Sequence, residues 1–466
     1  MKTTTVCLIA ISAALIGGNG LRAAEQTPAT KPNILFILTD DQRWNALGCM
    51  GDPNVQTPHI DRLAREGVLF QNHFVTTSIC CVSRASIFAG QYERRHGIGN
   101  FTKSFSPEQW AQTYPALLRQ HGYYTGFIGK FGVGDDKAVE AMAGKFDFWR
   151  GIVGQGGKYF IEPGDTNRVH QTARYGGQAL EFLRATPTNR PFCLSISFTA
   201  PHARDHMPRE FTPDERDEPM YAERTITPPP NATEAEFAKL PKSVQTSEAR
   251  TRWHWRFDTP EKFQSNTRDY YRLISGIDRE VGRIVAELQA RGLASNTVII
   301  FTSDNGFALG DRGLADKWFM YEESVRDPLI IYDPREPAAK RGRSERAMTL
   351  NIDFAPTMLA LAGVPPPAGM QGRSLLSLVQ GQAPSDWRTE FFYEHDFAPN
   401  IIPPSEGVRT ERWAYIRWVN ESPLVEELFD LKADPLEGHN LAGDPEHAST
   451  LAKLRARRAT YAKELK

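Results

Sequence analysis

The chain of 466 residues contains little cysteine, five residues in all. That is too few for a disulfide scaffold of this length. It contains no uninterrupted apolar run of about 18 residues, the least a membrane-spanning helix needs. With a mean hydropathy of −0.45, a multi-spanning membrane protein is excluded. Neither sign of charge is in excess. Lys+Arg number 55 against Asp+Glu 56, a net charge of −1, so no basic field marks nucleic acid as a partner. No Cys/His spacing fits zinc, and there is no internal repeat or low-complexity tract. What remains is ordinary globular composition, 40% apolar and 24% charged, with 32 prolines and 36 glycines that point to a loop-rich fold. At about 150 residues per domain, the length fits roughly three domains, or one large α/β domain with a smaller companion.

The first 24 residues read as a secretory signal peptide. Lys2 gives a positive start, Val6 to Ile16 a short apolar stretch, and Leu21-Arg22-Ala23-Ala24 small residues for cleavage. Cys7 is in the wrong place for a lipoprotein anchor, so no stable membrane insertion is expected after cleavage. Loss of Lys2 and Arg22 takes the net charge from −1 to −3 and leaves four cysteines, Cys49, Cys80, Cys81 and Cys193. The expected location is secreted or periplasmic.

Apolar runs of strand length then alternate with helical stretches. Asn33 to Leu38 ends in Thr39-Asp40-Asp41. Tyr124 to Ile128 ends in Gly129-Lys130, and Phe192 to Phe198 ends in Thr199-Ala200-Pro201-His202. Thr297 to Thr302 ends in Ser303-Asp304-Asn305-Gly306, and Leu329 to Tyr332 ends in Asp333-Pro334. Runs this apolar suit a sheet buried on both faces. Leu273, Ile274, Ile277, Val281, Ile284, Val285 and Leu288 mark one face of a long helix before the fourth run. The expected fold is α/β, a mostly parallel central sheet flanked by helices, over 31–375. Residues 203–269, polar and proline-rich with a Trp253-His254-Trp255 cluster, read as a long loop. From 376 to 466 short strand-like pieces (391–393, 413–416, 427–429) precede a charged helix from about Ala448, which predicts a small antiparallel α+β subdomain.

Four of the five runs end in chemistry: Asp40-Asp41, Lys130, His202 and Asp304-Asn305. In open α/β sheets ligands bind beyond the carboxyl ends of the strands, so residues 260 positions apart can share a site. A single acid after a strand is an ordinary cap or turn residue; the recurrence is what points to a site. Carboxylates packed together raise one another's pKa unless a cation neutralises them. An all-oxygen set of three Asp and one Asn suits a hard divalent ion, Ca²⁺ or Mg²⁺. The segment from Ser78 to Gly90 places Arg84 four residues after Cys80, with a helix expected to start near Ser83, an anion-binding corner. Read alone, Cys80-Cys81 is a vicinal pair in a core turn.

Taken together these residues resemble the type I, formylglycine-dependent sulfatases of the alkaline phosphatase-like superfamily. The resemblance runs from about Lys31 to Leu441. It rests on Pro32-Asn33-Ile34 through Asp40-Asp41, Cys80 to Gly90, Thr125 to Lys130, Pro201-His202, Ser303 to Gly306 and Lys317 to Glu322, with Leu428-Phe429-Asp430-Leu431, Asp434-Pro435 and Asn440-Leu441 near the C-terminus. It implies that Cys80, not Cys81, is oxidised by a formylglycine-generating enzyme to formylglycine, whose hydrate attacks sulfur. It implies Ca²⁺, with Mg²⁺ as the alternative, at Asp40, Asp41, Asp304, Asn305 and the modified Cys80. Arg84 would orient the diol or ion, Lys130 and Lys317 would bind sulfate oxygens, and His202 would protonate the leaving alkoxide. His96, close after the Cys80 helix, is a further candidate to line the site.

The expected substrate is a sulfate ester on a sugar of a sulfated carbohydrate. Trp253, Trp255 and Trp413 are offered as stacking surfaces, and His206 and His395 as substrate contacts. Two positions depart from the pattern. Val82 stands where such enzymes carry proline, and Gly132 where they often carry a histidine that contacts the formylglycine hydroxyl. The competing readings are a phosphodiester or phosphonate hydrolase of the same superfamily and a non-catalytic sulfated-glycan binding homologue.

Overall fold

Asn33–Asp40 (β1) has the sequence NILFILTD, with every residue buried. The run of Ile, Leu and Phe leaves no polar face for solvent, so the strand is stable only with a layer on each side. Further strands of the same sheet are Val68–Phe70 (β2), Tyr124–Lys130 (β3), Phe148–Ile152 (β4), Phe192–Pro201 (β5), Thr297–Ser303 (β6), Leu329–Tyr332 (β7) and Arg343–Glu345 (β8). Their order across the sheet is β8-β2-β7-β6-β1-β5-β3-β4. β1 pairs parallel to β5 and β6, β3 parallel to β4 and β5, and β8 parallel to β2; β7 runs antiparallel to β6 and β2. The mostly parallel sheet expected from the sequence is therefore present. The computed structural model describes residues 1–5, 31–154, 159–160 and 169–465. The signal-peptide expectation falls almost wholly outside them. No helix among the described residues is long and apolar enough to cross a membrane.

Alternate residues of β1 feed two cores. Leu35 and Ile37 pack with Ile196, Phe301, Ile274 and Val281 on one face. Ile34, Phe36 and Leu38 pack with Phe88, Ile300 and Met358 on the other. Each such side chain contributes about 1.5–3 kcal/mol by leaving water. The helices that supply these layers include Pro58–Glu66 (α1), Cys80–Ala89 (α2), Gln171–Ala185 (α3), Glu248–Arg256 (α4), Pro260–Ala290 (α5) and Phe354–Leu361 (α6). α5 is the long helix foreseen from Leu273 to Leu288. Its start is set by Thr259, whose side chain accepts the Lys262 N–H, and by Pro260 in its first turn.

The segment read as a loop over 203–269 is in fact largely helical from 234 onward, with turns at Glu234–Ala238 and Lys242–Gln245, then α4 and the first turns of α5. Its helices are short and bridged by ion pairs, so they lack the apolar period that announces a helix.

C-terminal to residue 375 a second sheet forms from Glu390–His395 (β9), Ser405–Thr410 (β10), Trp413–Trp418 (β11) and Val425–Asp430 (β12), paired antiparallel in that order. Ala448–Glu464 (α7) lays Leu451 and Leu454 against Val408, Tyr415 and Leu428. The subdomain is as expected, with one strand more: β10 reads SEGVRT and carries too little apolar signal to be seen alone.

Candidate active site

The strands whose ends carry chemistry are neighbours. β6, β1, β5 and β3 lie side by side and parallel. Asp40 ends β1, Lys130 ends β3, His202 follows β5, and Asp304-Asn305 follow β6. All four clusters therefore sit on one edge of the sheet. β7, the run that ended in Asp333-Pro334, is antiparallel and delivers its end to the opposite edge. At Asp41 the chain turns out of the strand with φ +63°, left-handed and unusual for a residue other than glycine. The turn is held by the Asp41 N–H donating to Asp304 Oδ1 at 3.2 Å and by the Tyr270 hydroxyl donating to the Asp41 carbonyl at 2.8 Å.

Cys80 opens α2, after Ile79 in extended conformation. Its Sγ lies 3.3 Å from Asp40 Oδ1 and 4.0 Å from Asp41 Oδ1. Arg84, one turn on and thus on the same face, is 1% exposed. Its Nε donates to Asp304 Oδ2 at 2.9 Å, Nη2 to Asp40 Oδ2 at 3.0 Å, and Nη1 to the Lys130 carbonyl at 2.8 Å and to Ser197 Oγ. Cys81 instead packs into an apolar cluster with Val82, Phe74 and Trp318. The four described cysteines Cys49, Cys80, Cys81 and Cys193 are free thiols. Of the vicinal pair, Cys80 and not Cys81 therefore faces the acids.

Lys130 Nζ lies 2.6 Å from Asp40 Oδ2, and Lys317 Nζ lies 2.5 Å from both carboxylate oxygens of Asp41. His202 Nε2 is 3.6 Å from Asp41 Oδ2. Its Nδ1 sits 2.6 Å from the Ala203 carbonyl oxygen, which only an N–H can approach so closely, so Nε2 is the nitrogen left to carry or accept a proton toward the site. The Tyr159 hydroxyl donates to the His202 carbonyl.

Three buried acids (Asp40, Asp41, Asp304) thus face three buried cations (Arg84, Lys130, Lys317). Burial pushes the Asp40 carboxyl up, but Lys130 and Arg84 beside it hold it below the usual carboxylate range. Asp304 is pushed up to about 6 by burial and by the charge of Asp40, against Arg84. Burial next to Asp304 and Asp40 raises the Cys80 thiol, so an unmodified Cys80 stays protonated and is a poor nucleophile. Burial lowers His202, and Asp41 works against that.

The carboxylate and amide oxygens of Asp40, Asp41, Asp304 and Asn305 are donors of the kind a hard divalent ion takes. The His, Cys and acid side chains whose ligand atoms lie within 4.8 Å of one another are Asp40, Asp41, Cys80 and His202, a set that takes in His202, not an expected ligand, and leaves out Asp304. Asn305 Nδ2 donates to Asp41 Oδ1 at 2.7 Å, while its Oδ1 is buried without a hydrogen-bond partner, an oxygen whose desolvation is uncompensated until it meets a cation or donor.

His96 is not brought to this set. Its Nε2 is 3.0 Å from Ser86 Oγ and its Nδ1 accepts the Ile98 N–H at 3.1 Å, so both ring nitrogens serve the scaffold. Burial lowers its pKa to about 3. Gly132 adopts φ +73°, and a Cβ there would lie 2.5 Å from Arg84 Cδ. The space a side chain at 132 would enter is thus taken by Arg84. Val82 lies in the first turn of α2, wholly buried. Of the proposed stacking tryptophans, Trp253 packs against the main core, Trp255 lies with its ring centroid 4.4 Å from that of His206, and Trp413 meets His447 at 5.5 Å. His395 is buried, and neither of its ring nitrogens has a hydrogen-bond partner. Ser197, Tyr159 and Tyr270 join the site although the sequence did not single them out. Isolated Ser and Tyr residues carry no local signal, and their partners lie 43 to 229 positions away.

Comparison with known proteins identifies the family. The model of the Sulfatase family matches residues 32–364, and that of the N-sulphoglucosamine sulphohydrolase C-terminal region matches 310–464. An N-acetylglucosamine-6-O-sulfatase of Bacteroides thetaiotaomicron is 31% identical over 91% of this chain and 85% of its own. A solved structure in complex with its substrate D-glucosamine-2-N,6-O-disulfate superposes with a TM-score of 0.79, at 29% identity, over 94% of this chain and 98% of that one. A phosphonate monoester hydrolase of Agrobacterium radiobacter superposes with a TM-score of 0.77 at 23% identity, over 93% and 96% of the two chains, a likeness of fold alone. With a family model spanning most of its length and a relative 31% identical over nearly all of it, the chain belongs to the sulfatase family of alkaline phosphatase-like fold.

Proposed function

We propose that the chain is an exported sulfatase that hydrolyses a sulfate ester on an amino sugar of a glycosaminoglycan-type carbohydrate, with Cys80 matured to formylglycine. The observation that carries the reading is the convergence of Cys80, Asp40, Asp41, Arg84, Lys130, His202 and Lys317, with Sγ 3.3 Å from Asp40. The sugar rests on the relatives: one acts on N-acetylglucosamine-6-O-sulfate by its name, and one holds a disulfated glucosamine.

Formylglycine supplies, as its hydrate, a hydroxyl for attack on sulfur and a second whose deprotonation lets the aldehyde reform and sulfate leave. Asp40, Asp41, Asp304 and Asn305 would hold Ca²⁺ or Mg²⁺, which lowers the pKa of an adjacent hydroxyl and offsets sulfate charge. Arg84 holds Asp40 and Asp304 in place and presents the first turn of α2 to the same point. Lys130 and Lys317 are flexible point charges, able to leave Asp40 and Asp41 for sulfate oxygens as charge grows on them. His202, with Nδ1–H fixed on a carbonyl, presents Nε2 to give a proton to the departing sugar oxygen. Cys80 is only 2% exposed, so the oxidising enzyme must reach it before the fold closes over it.

The test has two arms. Peptide mass spectrometry on the fragment containing Cys80, from cells that co-express an oxidising enzyme, should show formylglycine. Sulfate release should then be seen from N-acetylglucosamine-6-sulfate and sulfated oligosaccharides, and not from a phosphonate monoester. Preference for the phosphonate would replace this reading with the competing hydrolase; binding of sulfated sugars with no turnover by the matured protein would replace it with a glycan-binding one.

A further inference from the structure

The Trp253-His254-Trp255 helix plays no part in the chemistry above, but the next residue reaches it. Arg256 closes α4 and is 0% exposed. Its guanidinium meets three carboxylates drawn from two loops. Nη2 donates to Asp205 Oδ1 at 2.5 Å, Nε to Glu210, and Nη1 to Asp316.

Asp205 and Glu210 belong to the loop that opens with His202. That loop is folded on itself by the Arg204 N–H donating to the Glu210 carbonyl at 2.8 Å and the His206 N–H donating to Glu210 Oε1 at 3.1 Å. Asp316 immediately precedes Lys317. The turn there is left-handed at non-glycine residues, φ +70° at Asp316 and +87° at Trp318, so something outside must hold it. Arg252, one turn before Arg256, adds a second tie, 3.0 Å from Asp205 and 3.1 Å from Asp316, with its guanidinium over the Trp318 ring at 5.0 Å. One fork therefore spans the two loops that bring His202 and Lys317 to the same carboxylate, Asp41, at 3.6 and 2.5 Å. A planar guanidinium fixes the directions of its three partners, whereas an ammonium would not. It also keeps the Asp316 carboxylate occupied, which would otherwise compete with Asp41 for the neighbouring Lys317 ammonium.

We infer that Arg256 is a positioning residue for sulfuryl transfer, setting the spacing of His202 and Lys317 across Asp41 by clamping Asp316 to Asp205 and Glu210. The inference rests on the roles of His202 and Lys317 proposed above, but not on which sugar is the substrate.

The test compares Arg256→Lys and Asp205→Asn with the parent, all matured, on aryl sulfates of graded leaving-group acidity, 4-nitrophenyl and phenyl sulfate. A misplaced acid harms the poor leaving group most. The expected result is a fall in kcat on both substrates as Lys317 shifts, with the loss on phenyl sulfate about fivefold or more the larger because His202 shifts too. Melting temperatures should stay within a few degrees of the parent. Equal losses on both substrates, or none on either, would overturn the inference. Should Arg256→Lys fail to fold, Asp205→Asn decides alone, since that side chain is 28% exposed and gives up one arm of the clamp. A matured parent that releases sulfate neither from these aryl esters nor from N-acetylglucosamine-6-sulfate overturns the proposed function and this inference together; an active parent with variants that show no such contrast overturns the inference alone.

Discussion

Two buried charge clusters in this molecule look alike and are built for opposite ends. At the sheet edge, Asp40, Asp41 and Asp304 face Arg84, Lys130 and Lys317. At the junction with the C-terminal sheet, Arg312 donates to Glu323, to Glu437 at 2.9 Å and to the Leu436 carbonyl at 2.6 Å, with its guanidinium 4.4 Å above the Tyr321 ring. The junction uses a rigid fork that holds two carboxylates and a carbonyl in fixed directions, and so it locks the chain. The sheet edge pairs two of its acids with lysines on flexible stems and leaves Asn305 Oδ1 unpartnered, and so its pairs can be exchanged. Buried ion pairs are weak evidence for stability in either place; what differs is whether the partners can leave.

The largest expected effect falls at the edge. Cys80→Ala should abolish sulfate release, by about four orders of magnitude or more against the matured parent, with the thermal midpoint little changed. A comparable stability loss would mean that Cys80 belongs to the locked class. Lys317→Met should cost about 10²–10³-fold in turnover, measured by sulfate release at saturating substrate. Arg312→Met inverts the pattern. It should lower stability by about 3–5 kcal/mol in denaturant titration, because two buried carboxylates lose their cation, while turnover of the folded fraction is kept.

A pH series sharpens the contrast further. Glu427 is 3% exposed and accepts from the Tyr321 hydroxyl and Trp418 Nε1, both at 3.0 Å, with no cation in contact. Burial pushes it from 4.5 to about 7. A raised carboxyl favours the folded state while protonated, so that contribution is present below its unfolded pKa and is lost as pH climbs through about 7. The loss is of order 3 kcal/mol. Glu427→Gln should flatten the fall in thermal midpoint between pH 5 and 8 in part, since Asp278 is also raised to about 7 by burial. The smallest expected effect is at His96. His96→Asn should change turnover less than about threefold while costing roughly 1–3 kcal/mol of stability, as scaffold hydrogen bonds are lost. A large loss of turnover with stability intact would return His96 to the site.

The sequence made some of this legible and hid the rest for physical reasons. Runs such as Asn33 to Leu38 and Thr297 to Thr302 declare buried strands because burial on both faces removes the polar alternation. The groups at their ends stand out because nothing else in an apolar run is charged. β10, with its glycine and its polar residues, has no such contrast and is held by its neighbours Phe391 to Tyr393 and Ala414 to Ile416. The helices between 234 and 256 were invisible because ion pairs and aromatic contacts, not an apolar stripe, stabilise them. His96 sits close to Cys80 in sequence, but the turn of α2 that carries Ser86 faces away from the acids.

Local sequence alone thus determined which side chains end which strand, the four-residue spacing from Cys80 to Arg84, and a chain unable to rely on disulfides; that the helix begins at Cys80 rather than near Ser83, putting both on one face, belongs to the fold. Tertiary structure alone decided that β6, β1, β5 and β3 would be neighbours, because crossovers of many residues can place a parallel strand at any position across a sheet. It also decided which cation each acid would meet, and that Arg256, unremarkable in sequence, would join two loops more than a hundred positions apart. Pairing across such separations depends on the packed geometry of the whole sheet and its helices, and no short window of the chain contains it.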